Sequence, residues 1–133
     1  MDFTIDEQLA TDTAFIADWK LSRVLLMNDA RFPWLILVPR RADVSEFFDL
    51  TPEDRQTLTE EFSRAGENLK KLTGCDKINI CVIGNQVEQL HVHVIARKEN
   101  DDVWPSPVWS RGFAVPYETD ALDKTVQTLV NGL

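Results

Sequence analysis

Apolar and polar residues alternate through Gln89-Leu90-His91-Val92-His93-Val94-Ile95, the pattern of a strand with one face in a core. Strand side chains point to opposite faces with period two, so Leu90, Val92 and Val94 share an apolar face and Gln89, His91 and His93 share the other. The spacing predicts a strand over Glu88–Arg97, joined through a short Gly84-Asn85-Gln86 turn to a strand over Lys77–Ile83. An earlier hairpin is predicted from Trp19–Met27, with Leu21, Val24, Leu25 and Leu26, and from Trp34–Pro39. The Asn28-Asp29-Ala30-Arg31-Phe32-Pro33 link between them carries turn chemistry.

Helical periodicity fills the intervals. Thr51 has the chemistry of an N-cap, Pro52 suits the first helical position and Asp54 is an acid in the first turn. Leu58, Phe62, Ala65, Leu69 and Leu72 then recur at spacings of four and three, and Gly74 suits a C-cap. A short helix over 6–13, capped by Asp6 and carrying Leu9, opens the chain. A helix over 118–131 closes it, with Leu122, Val126, Leu129 and Val130 on one stripe, while 100–116 reads as irregular. The order is helix, hairpin, long helix, hairpin, helix. Hairpins imply an antiparallel sheet and the amphipathic helices need a sheet face to cover, so the expected class is α+β, in one domain spanning 1–133.

Composition narrows the partners. With 14 Lys+Arg against 22 Asp+Glu the net charge is −8, which repels a phosphate backbone and disfavours nucleic-acid binding. A small phosphorylated ligand is still admissible, because backbone N–H groups can hold it locally. The opening residues have neither a basic nor an apolar signal region, and no apolar run approaches the ~20 residues of a membrane-spanning helix. Cys75 and Cys81 are expected to be free thiols in a reducing compartment, so the expected location is cytoplasmic, with no membrane partner.

His91 and His93, the only histidines, carry the candidate chemistry. Three readings compete. The pair can be hydrogen-bonded structural residues without chemistry. It can be a metal ligand pair, but zinc wants three or four protein ligands, and no third histidine and no acid share this strand face, so no metal and no cofactor are expected. It can also act at phosphorus: a neutral imidazole attacks a phosphate to form a phospho-histidine, which water then cleaves. The Gly84-Asn85-Gln86 turn enters this strand and can supply N–H groups for the developing charge.

Gln89-x-His91-x-His93-x-x resembles the signature of the histidine triad superfamily of nucleotide hydrolases and transferases, in which three histidines alternate with apolar residues before two further apolar ones. Three other segments support the resemblance. Trp34-Leu35-Ile36-Leu37-Val38-Pro39-Arg40 is similar to the family strand ending in Val/Ile-Pro-Lys/Arg, Gly84-Asn85-Gln86-Val87 to its Gly-Gln-Ser/Thr-Val segment, and Trp104-Pro105 to a Trp-Pro after the triad in one branch. The resemblance implies a five-stranded antiparallel sheet and a homodimer. It also implies hydrolysis or transfer at the α-phosphate of a nucleotide conjugate, such as a nucleoside phosphoramidate or a dinucleoside polyphosphate. In that frame His91 is the nucleophile forming a nucleotidyl-histidine, and His93 contacts the phosphate. Asn28 lies where the family binds ribose hydroxyls, and Asn85 and Gln86 where it binds phosphate. Two positions depart from the pattern: Gln89 replaces the first triad histidine, and Trp34 replaces a further histidine on the Val/Ile-Pro strand. Glutamine at 89 can orient the His91 ring by hydrogen bonds but cannot carry a proton. The alternative function is a non-catalytic nucleotide-binding module using the same pocket. Trp104, Val108 and Trp109, in the proline-rich irregular segment, are the residues expected to form an exposed apolar patch at a homodimer interface.

Overall fold

The computed structural model describes residues 2–133. Five strands form one antiparallel sheet: β1 (Thr13–Asp18), β2 (Ser22–Met27), β3 (Trp34–Pro39), β4 (Lys77–Cys81) and β5 (Val92–Arg97), in the order β1-β2-β3-β5-β4. Three helices accompany it: α1 (Glu7–Asp12), α2 (Pro52–Thr73) and α3 (Thr119–Gly132). The α+β class, the antiparallel sheet and the single long helix agree with the sequence pattern. No helix among the described residues is long and apolar enough to cross a membrane.

The caps of α2 follow from local chemistry. The Thr51 side chain accepts from the Asp54 N–H, Pro52 occupies the first turn, and Gly74 closes the helix in the left-handed region at φ 63°. That conformation costs glycine least, since it has no Cβ to clash.

Three elements differ from the pattern. β1 was not apparent because a bulge between Phe15 and Ala17 breaks its alternation, leaving Ile16 buried and Phe15 exposed. β2 starts at Ser22 rather than Trp19, since Trp19–Leu21 form the β1–β2 connection, with the Trp19 N–H donating to the Ser22 carbonyl. The link from β4 to β5 is also longer than a tight turn, because β4 ends at Cys81 and β5 begins only at Val92.

The two sheet faces carry separate cores. On one, Val24, Leu26, Leu35, Leu37, Val92, Val94 and Ala96 pack under Leu58, Ala65 and Leu69 of α2 and Leu129 of α3. Leu72 and Val130, expected on these stripes, are instead among the exposed apolar residues, each in the last turn of its helix. On the other face Leu25, Trp34, Ile36, Val38 and Ile95 pack with Leu9, Phe32, Val103 and Val108, and Phe3 and Ile5 lie against them. His91 and His93 belong to this second face.

One buried acid ties the two layers together. Glu61, which interrupts the apolar stripe of α2, accepts from the N–H groups of Leu21 and Ser22 at 2.9 and 3.0 Å. Replacing it strands two buried donors of the β1–β2 connection. Glu61→Ala is expected to lower the unfolding free energy by ~2–4 kcal/mol, measured by urea denaturation. A loss within experimental error would show that the connection finds other acceptors.

Candidate active site

β5 and the segment before it present two imidazoles side by side, with ring centroids 4.8 Å apart and planes at 73°. Their hydrogen bonds assign different states to the two rings. The His91 Nδ1 lies 2.7 Å from the Gln89 carbonyl oxygen. A carbonyl only accepts, so in the neutral ring the proton sits on Nδ1 and Nε2 keeps the lone pair. His91 lines a cleft of about 370 Å³ with Ser45, Glu46, Val82, Gly84, Asn85, Glu88, Gln89 and Leu90.

His93 is committed at both nitrogens. The indole N–H of Trp34 donates to its Nδ1 at 3.1 Å, and its Nε2–H donates to the Ile83 carbonyl at 2.9 Å. The ring is edge-on to Trp109, with centroids 4.9 Å apart, and tilted against Trp34 at 5.7 Å. Burial, aided by the neighbouring His91, pushes its pKa from 6.5 down to about 4 against the opposing pull of the Ile83 carbonyl. A protonated Nδ1 would also face the Trp34 donor. This ring is a neutral structural hinge at ordinary pH.

Because His93 holds the Ile83 carbonyl, it fixes the chain just before Gly84, and Gly84 lies directly on the His91 ring. A Cβ at 84 would stand 2.8 Å from the Val87 carbonyl and 3.2 Å from His91 Cε1. Only glycine lets this segment approach the imidazole so closely. Asn85 and Gln86 follow, both exposed.

Asn28 and Gln86 sit in a second cleft, of about 580 Å³, whose walls include Trp34, Trp109, Phe113, Asp12 and Arg31. Asn28 Oδ1 accepts from the Tyr117 N–H, so its Nδ2 end carries the remaining donors. Thus the structure gathers Gln89, His91 and Asn85 around one cleft and Asn28, Gln86 and Trp34 around the other, while His93 lines neither. The Gln89 side chain does not touch the His91 ring. It bonds to Thr4 and Asp6, and only the Gln89 backbone holds His91.

Residues 8–100 match the HIT domain. The chain belongs to the histidine triad family. It is similar over nearly its whole length to solved histidine triad proteins. The one from Sinorhizobium meliloti is 49% identical, with a TM-score of 0.95, over 98% of this chain and 97% of its own. The one from Bradyrhizobium japonicum is 40% identical at 0.96, over 99% and 98%. A third, from Marinobacter aquaeolei, is 40% identical at 0.94, over 97% and 94%. No curated protein sequence matches the chain.

Two features of this HIT domain's site were not legible in the sequence. Trp109 lies in an irregular segment without periodicity, yet it packs on both His93 and Trp34, with the two indole centroids 5.6 Å apart. Asp29 is buried and its carboxylate accepts from the Arg31 side chain and from the Arg31 and Val115 N–H groups, which fastens the 111–117 segment over the second cleft. An Asn-Asp pair in a turn gave no signal beyond turn formation. Cys81 pairs with His93 across β4 and β5, but burial pushes its thiol up, away from thiolate chemistry.

The locked His93 has a consequence for acid stability. Between pH 6.5 and about 4 the unfolded chain binds a proton at this residue while the folded chain does not, so stability falls as pH drops through that window. Between pH 7 and pH 4.5 the wild type is expected to lose ~2–3 kcal/mol more than His93→Gln, by urea denaturation at both values. Equal losses would mean that His93 protonates freely in the fold.

Proposed function

We propose that this HIT protein is a nucleotide hydrolase or transferase acting at the α-phosphate of a nucleotide conjugate through a covalent nucleotidyl-His91. The observation that carries the reading is the state of His91: Nδ1–H held by the Gln89 carbonyl, and Nε2 unprotonated beside an open cleft. In the first step the Nε2 lone pair attacks phosphorus, a P–N bond forms, and the bond to the leaving group breaks with its electron pair. The imidazole becomes cationic as it attacks, and the Gln89 carbonyl stabilises the charge through the Nδ1–H. Water then attacks phosphorus and gives up a proton to solvent, the P–N bond breaks with its electron pair returning to Nε2, and a nucleoside monophosphate leaves.

The two clefts suit the two parts of such a substrate. The aromatic one, with Trp34, Trp109 and Phe113, fits a base and ribose, with Asn28 at its wall. The polar one beside His91 fits the phosphoryl group, and we assign its oxygens to the Gly84-Asn85-Gln86 segment, in which Gly84 and Asn85 line the His91 cleft and Gln86 the aromatic one. His93 enters this mechanism as the support of that segment rather than as a proton donor. Neither Gln89 nor Trp34 titrates, so the departing group leaves without a histidine acid. General acid help is worth roughly 10²–10⁴ in rate and matters most for basic leaving groups. A polyphosphate is therefore expected to leave more readily than an alkoxide.

His91→Ala is expected to lose at least ~10³-fold in kcat/KM on the best conjugate. Acid-quenched wild type given a substrate radiolabelled at the α-phosphate is expected to retain label on protein, and the variant none. Binding without turnover or label would instead favour the non-catalytic nucleotide-binding module.

A homodimer is also proposed, on a revised surface. Val108 is buried within its own chain and so contributes nothing to an exposed patch. The stronger support is β4, an edge strand that exposes Ile80 and continues into exposed Val82 and Ile83. Light scattering at micromolar concentration is expected to give twice the 15.2 kDa chain mass, and Ile80→Lys to shift the equilibrium toward the monomer. A 15.2 kDa species for the wild type would overturn the dimer.

A further inference from the structure

The Gln89 side chain makes two bonds that the proposed reaction does not use. Its Nε2 donates to the Thr4 carbonyl and its Oε1 accepts from the Asp6 N–H, both at 2.8 Å. Thr4 and Asp6 flank Ile5, so the amide pairs with the N-terminal segment as a neighbouring strand's peptide group would. This needs a donor and an acceptor side by side on one planar group. A carboxylate has no donor, and the two nitrogens of an imidazole diverge around the ring.

The segment held in this way is placed with care on the active face. Phe3 and Ile5 lie against the cluster that contains Trp34, Ile36 and Ile95. Asp6 caps α1 through the Gln8 N–H. Asp2, Phe3 and Thr4 form one side of a groove of about 480 Å³, and its other side runs from Arg41 to Ser45 and on to Glu88 and Gln89. This groove and the His91 cleft have Ser45, Glu88 and Gln89 in common. The segment therefore borders a groove that adjoins the His91 cleft along Ser45, Glu88 and Gln89.

We propose that Gln89 is a positioning residue that pins residues 2–6 as the far wall of the groove adjoining the His91 cleft, and that this wall restricts the size of the group departing from phosphorus. The proposal rests on the reading of His91 as the nucleophile of a nucleotide conjugate. Its physical content is a docking equilibrium. Two neutral hydrogen bonds and two apolar side chains hold the segment down, and loss of the bonds raises the undocked population by about tenfold.

Two variants break the clamp from opposite sides. Gln89→Glu removes the donor to Thr4. Asp6→Pro removes the N–H given to Gln89, at a residue whose φ of −52° suits a proline ring. The first readout is amide hydrogen exchange of residues 3–8, which requires no activity. The second compares two adenosine 5′-phosphoramidates, one of methylamine and one of tryptamine, by KM and kcat, and by calorimetric Kd on His91→Ala backgrounds.

Both variants are expected to speed exchange in this segment by about tenfold. They are also expected to lower KM and Kd for the tryptamine conjugate relative to the methylamine one by about fivefold, because the wall no longer excludes the larger group. Asp6→Pro should leave kcat for the methylamine conjugate unchanged, and neither variant should move the pH profile of kcat. Unchanged exchange would overturn the clamp. Faster exchange with an unchanged ratio of the two conjugates would overturn the wall. A displaced pH profile in Gln89→Glu alone would place Gln89 in proton transfer instead. If the wild type binds both conjugates but turns over neither, the catalytic reading fails, and the ratio of Kd values still decides the wall.

Discussion

The site is built on one relay of hydrogen bonds, from the Trp34 indole to His93 Nδ1 and from His93 Nε2 to the Ile83 carbonyl. Each bond enforces the other. The indole can only donate, so Nδ1 must be the acceptor, and the remaining proton must sit on Nε2, facing a carbonyl that can only accept. Burial reinforces the arrangement by opposing the cation that would break it. The relay crosses from β3 to β5 and ends on the chain leaving β4, so it locks the place where Gly84 closes on His91. Without it, the segment beside His91 would have no fixed depth on the sheet.

This division of labour separates two identical residue types by their partners. His91 donates a hydrogen bond from Nδ1–H to the carbonyl two residues back, and its neutral ring keeps the lone pair on Nε2. His93 spends both nitrogens on the scaffold. A strand that simply displayed two equivalent imidazoles would leave their tautomers free, and the fraction of correctly protonated pairs would fall accordingly. Trp34 and Trp109 bury His93 and at the same time wall the second cleft, with Phe32 packed edge-on against Trp34.

The opposite sheet face has a different task. There α2 and α3 bury the apolar alternates of the same strands, and Glu61 holds the β1–β2 connection. Because β5 contributes Val92, Val94 and Ala96 to one core and His93 and Ile95 to the other, a one-residue slip of its register would exchange the core for the site. The rigidity of the helical layer is thereby transmitted to the histidines. The loop from 101 to 117 is fixed separately, by the buried Arg97–Asp101 pair and by Asp29.

The sequence alone determined the alternation that places His91 and His93 opposite Val92 and Val94, the caps of α2, the α+β class and the family resemblance. Those features depend on local chemistry and on period, which a single chain displays directly. What it could not determine were contacts between residues far apart in sequence: Trp34 on His93, Glu61 on Leu21 and Ser22, and Gln89 on Thr4 and Asp6. Gln89 shows the reason most directly. In sequence its neighbour on the same strand face is His91, but an amide bonds to whatever complementary donor and acceptor the fold brings within reach. Here the fold brings the N-terminal segment, about eighty residues away along the chain. Tautomer, too, is a property of partners rather than of residue type. Only the tertiary structure decided which histidine nitrogen stays free.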